Sequence, residues 1–201
     1  MLSSEIQIGQ VHFGVPELRN RPAAKQMTAR EDQRIRTAWN NHGAGIAEQA
    51  EAHGMPVAAA LAVFAIEASG SAYDPVTGRV VIRVERPGRH PNGEAAFRRK
   101  FGRGQDAEWA ALQHWTVSSG ADVAFARTSW GLAQVMGFNY SLAGDYSTAV
   151  EMALAFHASV DNQIAGFFRF CAARKLIAAA RTQNWRSEER RVGKECRSRW
   201  S

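Results

Sequence analysis

The sequence predicts a mainly α domain of the α+β kind, a helical body that carries one small β-hairpin. Three observations point there. Alanine occurs 35 times in 201 residues, often in consecutive blocks, and alanine is the strongest helix former. Apolar residues recur at helical spacing through most of residues 31–181. The one strong strand signal is the short β-branched run Val80-Val81-Ile82-Arg83-Val84. A hydrophobic content of 45% is ample for one buried core, which excludes a disordered or fibrous chain.

Other classes fall away on simple counts. Nothing approaches the roughly 18 unbroken apolar residues of a membrane span. Met1 to Val15 holds polar residues where an export signal needs an apolar stretch, so the expectation is a soluble protein, cytoplasmic in the producing cell. Cys171 and Cys196 are too few for a disulfide framework or a zinc site, and the six histidines show no metal-ligand spacing. No metal and no cofactor are expected, since no phosphate loop or nucleophile elbow is present either.

Taken in order, Met1 to Thr28 has Pro16 and Pro22 and no helical period, and reads as an arm or linker remnant. Glu31 to His42 is a helix that Gly43 is expected to end, with Gly45 to His53 a second one closed by Gly54. Pro56 opens a helix over Val57 to Ala68, apolar all round and therefore expected at the centre of the fold. Val76 to Arg79 is turn-like and leads into the Val80 to Val84 strand. Arg86 to Gly93 reads as a Pro/Gly loop, followed by helices at Glu94 to Lys100 and Asp106 to Val117 and a short one ending near Arg127. Trp130 to Met136 is a compact apolar segment closed by Gly137. Ser147 is placed to cap a helix over Thr148 to Ala158, and Asn162 to Lys175 and Leu176 to Arg181 complete the body.

Glu67 is the chemical anomaly, the single charge near the end of an apolar helix. Burial disfavours an ionised carboxylate and raises its pKa, which suits a general acid near neutral pH. A Glu that reaches solvent at the helix end, or pairs with an arginine, would have the same sequence. Two further carboxylates lie downstream: Glu85, for which an ion pair with Arg83 or Arg86 is equally open, and Asp74, which also fits a turn before Pro75.

Glu67-Ala68-Ser69-Gly70, the hairpin, and then Ser129-Trp130-Gly131-Leu132-Ala133-Gln134-Val135-Met136-Gly137 resemble the lysozyme and lytic-transglycosylase superfamily. The closer resemblance is to phage-type N-acetylmuramidases, the catalytic domains of endolysins. It runs over about residues 32–185 and includes Val84-Glu85-Arg86 and Met136-Gly137-Phe138-Asn139-Tyr140. The resemblance implies a lysozyme-like fold whose hairpin walls a glycan cleft. It implies that Glu67 protonates the glycosidic oxygen between N-acetylmuramic acid and N-acetylglucosamine, with Glu85 or Asp74 as a possible second carboxylate. It also implies that Ser129, Gln134, Asn139 and Tyr140 line or brace the sugar cleft, where amides and a phenol can hydrogen-bond N-acetyl groups. Gln134 serves equally as a backbone brace, and Asn139-Tyr140 as a helix terminator. One departure stands out: family members continue Glu-Arg-His, whereas here Glu85-Arg86 runs into Pro87-Gly88-Arg89-His90.

The expected function is therefore peptidoglycan cleavage by a monomer whose partner is the glycan strand, with no stable membrane insertion. The alternatives are a lytic transglycosylase using the same Glu67 and a non-catalytic wall-binding domain. The net charge of +6 does not argue for nucleic acid, because half of it sits in Arg186 to Ser201. That segment resembles a translated sequencing adapter. On this reading the catalytic domain is residues 29–185, cut short at its C-terminus, and residues 186–201 are artefactual.

Overall fold

Helix α1 begins where Thr28 and Glu31 close a capping box: the Thr28 hydroxyl accepts from the Glu31 N–H, and the Glu31 carboxylate accepts from the Thr28 N–H at 2.7 Å. The computed structural model describes residues 27–85 and 91–182. Most of the expected arm, the expected tail, and Arg86 and His90 lie outside the described residues.

α1 (Ala29–His53) is one helix where the sequence suggested two. The Trp39 ring lies over Gly43, so close that a Cβ there would sit 2.8 Å from it. Gly43 thus makes room for a side chain and stays helical. Gly54 ends the helix instead, turning left-handed with φ 66°. α2 (Val57–Glu67) then folds back along α1. Pro56 caps it from outside, with extended backbone. Ala60, Phe64 and Ala65 form its buried face, but Ile66 is 71% exposed, so α2 is buried on one side and not all round as its composition suggested.

The strand region is richer than one hairpin. Tyr73 and Val80 pair across the expected turn, and β1 (Ile82–Val84) follows. β1 pairs antiparallel with β2 (Thr128–Trp130), and β2 with β3 (Val135–Met136), in the order β1-β2-β3. The apolar segment Trp130 to Met136 is therefore itself part of a hairpin. Strands of two or three residues are too short to show alternation, and β2 is buried throughout.

The remaining helices are α3 (Pro91–Phe101), α4 (Gln105–Ser119), α5 (Ala121–Ala126), α6 (Tyr140–Ala143), α7 (Ala149–Ala158), α8 (Val160–Ala173) and α9 (Leu176–Thr182). α3 takes in Pro91 to Gly93, which the sequence assigned to a loop; proline tolerates the first turn, where its missing N–H has no partner anyway. Thr148, not Ser147, caps α7: its hydroxyl accepts from the Glu151 N–H, while the Glu151 carboxylate accepts from the Ser147 N–H at 2.7 Å. α8 starts two residues earlier than expected because Ser159 caps it.

Two apolar clusters result. One joins α1, α2 and α8 through Ile46, Phe64, Ile164 and Phe168. The other packs the sheet on α4 and α7 through Val80, Ile82, Trp130 and Phe156. Tyr73 and Ala133 touch both clusters. No described helix is long and apolar enough to cross a membrane.

Candidate active site

The end of α2 is shaped by the residues that follow Glu67. Ser69 (φ 55°) and Gly70 (φ 79°) turn left-handed in succession, and the Gly70 N–H donates to the Phe64 carbonyl at 3.0 Å. A Cβ on Gly70 would lie 2.6 Å from the Arg34 carbonyl oxygen, so only glycine lets the chain pass over α1 here. This is the physical content of the Glu-x-Ser-Gly pattern: it stops the helix directly after the carboxylate and pins that end against α1.

Glu67 is the last residue of α2, with its tip open to solvent. Enough protein surrounds the carboxyl that desolvation raises its pKa; the charge of Arg83 opposes this and that of Glu85 adds to it. The negative end of the α2 dipole acts in the same direction as the desolvation. No hydrogen-bond partner holds the Glu67 carboxyl among the described residues, so nothing stabilises its ionised form except Arg83.

The sheet supplies the facing groups. Arg83 pairs with Ser129 and Ser129 with Met136, and directly opposed residues share a face. Glu85, two residues beyond Arg83, points to the same side. Its N–H donates to the Arg127 carbonyl at 2.9 Å, which extends the β1–β2 ladder by one bond. Ser129 is buried, with its hydroxyl 3.3 Å from the Glu85 carboxylate and 3.0 Å from the Met136 sulfur. A hydroxyl has one proton, and the carboxylate is the stronger acceptor, so Ser129 braces Glu85.

The other expected residues do different work. Gln134 sits at φ 50° in the β2–β3 turn and donates its amide to the Gly131 and Val81 carbonyls at 2.8 and 3.2 Å. It ties the turn to the residue before β1. Asn139 is buried and accepts from Arg174 at 3.2 Å. Tyr140 opens α6 and packs against the sheet cluster. Asp74 is not among the charges that shift Glu67: its carboxylate accepts from the N–H groups of Val76 and Thr77 and from the Thr77 hydroxyl, and these bonds lower its pKa. It has the bonding of a turn residue.

Two contributors were not read from the sequence. Arg83 lends its charge to Glu67. Gln163 of α8 is 1% exposed, accepts from the Leu132 N–H at 2.8 Å and donates to the Phe156 carbonyl at 2.8 Å, clamping the β2–β3 turn onto the helical body. A Cβ on Gly131 would strike that same amide. A buried glutamine inside an apolar helix face was the available signal. Among the described residues no three His, Cys, Asp or Glu side chains gather closely enough to hold a metal ion.

The family model of the N-acetylmuramidases matches residues 56–194. The chain belongs to the N-acetylmuramidase family. Among solved structures it is similar to the Burkholderia AP3 phage endolysin, with a TM-score of 0.56 and 31% identity over 72% of this chain. The match covers 60% of that endolysin, so this muramidase-family chain spans about three fifths of its length. A comparison with curated proteins found no match. The helical body with its small antiparallel sheet is the lysozyme-like fold of that endolysin.

Proposed function

We propose that the chain cleaves peptidoglycan between N-acetylmuramic acid and N-acetylglucosamine, with Glu67 as general acid. The observation that carries this reading is the Glu67 carboxyl, raised in pKa by desolvation at the end of α2 and open at its tip. A raised pKa lets a carboxyl hold its proton to higher pH and give it to the glycosidic oxygen as the bond to the anomeric carbon breaks. The charge that then develops on the sugar is oxocarbenium-like, and a nearby carboxylate stabilises it or directs water to it. Glu85 is the group for that task, braced by Ser129 and close enough for its charge to reach Glu67. Ser129, Gln134 and Asn139 hold the cleft wall in shape, and Tyr140 stands where a partly open phenol can meet a sugar. Asp74 is the weaker candidate for the second carboxylate, because its Oδ1 is bound by three donors of its own turn.

The protein acts as a monomer on the glycan strand after release from the producing cell. Hydrolysis is favoured over anhydro-forming transglycosylation by Glu85, since capture by the muramoyl 6-hydroxyl has no need of a second carboxylate. Mass spectrometry of products from purified peptidoglycan tests this: a reducing muramic acid end is expected, and a 1,6-anhydro end would replace hydrolysis with transglycosylation. Lack of any clearing in a wall zymogram would leave only a wall-binding domain.

A further inference from the structure

Away from Glu67, a hollow of about 310 Å³ opens between the middle of α1 and the first turn of α8. We propose that it is a second, non-catalytic contact for the wall glycan, taking one N-acetylated hexose unit. The choice of sugar rests on the function proposed above; the hollow itself does not.

Three features of the hollow argue for a ligand. First, glycines hollow it out. Trp39 lies against Gly43 on the same helix, and Gly45 faces Ile164 and the Asp161 carboxylate across the gap, so alanine-like bulk at either position would narrow the space. Second, Trp39 is 46% exposed although its ring is pressed against the helix on one side, which leaves an indole face toward solvent. Aromatic faces stack on the C–H side of sugar rings, and this one is open to them. Third, polar groups converge there without protein partners. The side-chain amides of Asn40 and Asn41 and the Asp161 carboxylate line the hollow, and none of them hydrogen-bonds another side chain among the described residues. His42 joins them, half-buried, its pKa lowered by desolvation and its ring hydrogen-bonded to the Asn41 backbone.

This combination has a chemical address. An aromatic platform, amides and a carboxylate suit a neutral ligand rich in hydroxyls with one amide, and the volume sits at the lower end of small-molecule pockets, about 300 Å³ and above. A phosphate would be repelled by Asp161, and an apolar ligand would strand the two asparagines. None of the residues that line the hollow is a candidate active-site residue. Asp161 is the charge that His42 senses, whereas Glu67 senses Arg83 and Glu85. A second grip on the strand would keep the enzyme on the wall between cleavages and add avidity without touching the chemistry.

The test uses the full chain carrying Glu67→Gln, so that sugar is bound and not cut. Chitotriose, the probe, is titrated while the Trp39 indole N–H and the His42 ring are followed by NMR. Both are expected to shift, and resonances of Ser129 and Glu85 report any binding in the cleft separately. Retention of this protein on purified sacculi is expected to fall about fivefold with Trp39→Ala and with Asp161→Asn, the weight of one stacking or hydrogen-bonding contact. With Glu67 intact, the same two substitutions should leave cleavage of a short soluble glycan oligomer within about twofold, since neither touches the cleft. Asp161→Asn keeps the test valid should Trp39→Ala unsettle α1. Unmoved Trp39 and His42 signals, or unchanged retention of both variants, would overturn the proposal. A failure of the catalytic reading looks different: sacculi would stay uncut by the Glu67 protein while the binding signals still moved.

Discussion

The helical half and the sheet half of this molecule treat their carboxylates in opposite ways. The helical half delivers Glu67 at the end of α2 with no hydrogen-bond donor among the described residues, and its pKa rises. The sheet half surrounds Asp74 with three donors and its pKa falls, while Glu85 is held by the buried Ser129 hydroxyl. Residue type is therefore a poor guide to role here. Donors around a carboxyl favour its ionised form and shape a turn; a carboxyl left without donors beside apolar surface has its protonated form favoured.

Removing the protonated group should have the largest effect. Glu67→Gln keeps the shape but cannot donate a proton, so kcat on cell walls should fall by at least about a hundredfold. The same variant reads the pKa directly. Because the folded state raises the Glu67 pKa, it favours the protonated form, and that contribution is lost as pH rises through the folded pKa. Wild type and Glu67→Gln should thus melt together near the ordinary Glu value, about pH 4. Toward pH 7 the Gln variant should become the more stable, and activity of the wild type should decline on the alkaline side. Equal melting temperatures at both pH values would remove the basis for a perturbed Glu67.

Next in size is the joint that sets Glu67 in place. Gly70→Ala forces a Cβ against the α1 backbone at a left-handed residue and should cost about 1–3 kcal/mol, read in thermal denaturation, with loss of activity as the end of α2 moves. Gln163→Leu tests the clamp on the sheet half. It strands the buried Leu132 N–H and should cost a similar amount, about 1–3 kcal/mol. A neutral outcome there would mean that the β2–β3 turn holds itself through Gln134.

Smaller effects separate the two remaining carboxylates. Ser129→Ala should lower kcat by less than about tenfold, the weight of one hydrogen bond, with KM little changed, because it loosens Glu85 without removing it. Asp74→Ala should leave kcat within about twofold, as for most exposed positions. If Asp74→Ala abolishes activity while Glu85→Gln does not, the roles of the two carboxylates of the sheet half are reversed.

Much of this was legible in the sequence because it is local. The apolar run ending at Glu67, the Ser69-Gly70 stop and the helical periods depend on residues within a few positions of each other. The Asp74 turn was visible for the same reason, since its donors are two and three residues away. What the sequence hid depends on partners far along the chain. Gly43 is the local exception, since it reads as a stop until the Trp39 ring, one turn back on the same helix, is seen to lie against it. The buried hairpin within Trp130 to Met136 shows only once β1 supplies its ladder, 46 positions upstream at Arg83 and Ser129. The Gln163 clamp spans 31 residues and the Ser129–Glu85 brace 44. The sequence by itself thus determined the helices, the helix-ending carboxylate and the reason it is costly to ionise. Tertiary structure alone decided which groups face that carboxylate, because strand pairing and side-chain clamps are chosen by packing between distant segments, and no local preference encodes them.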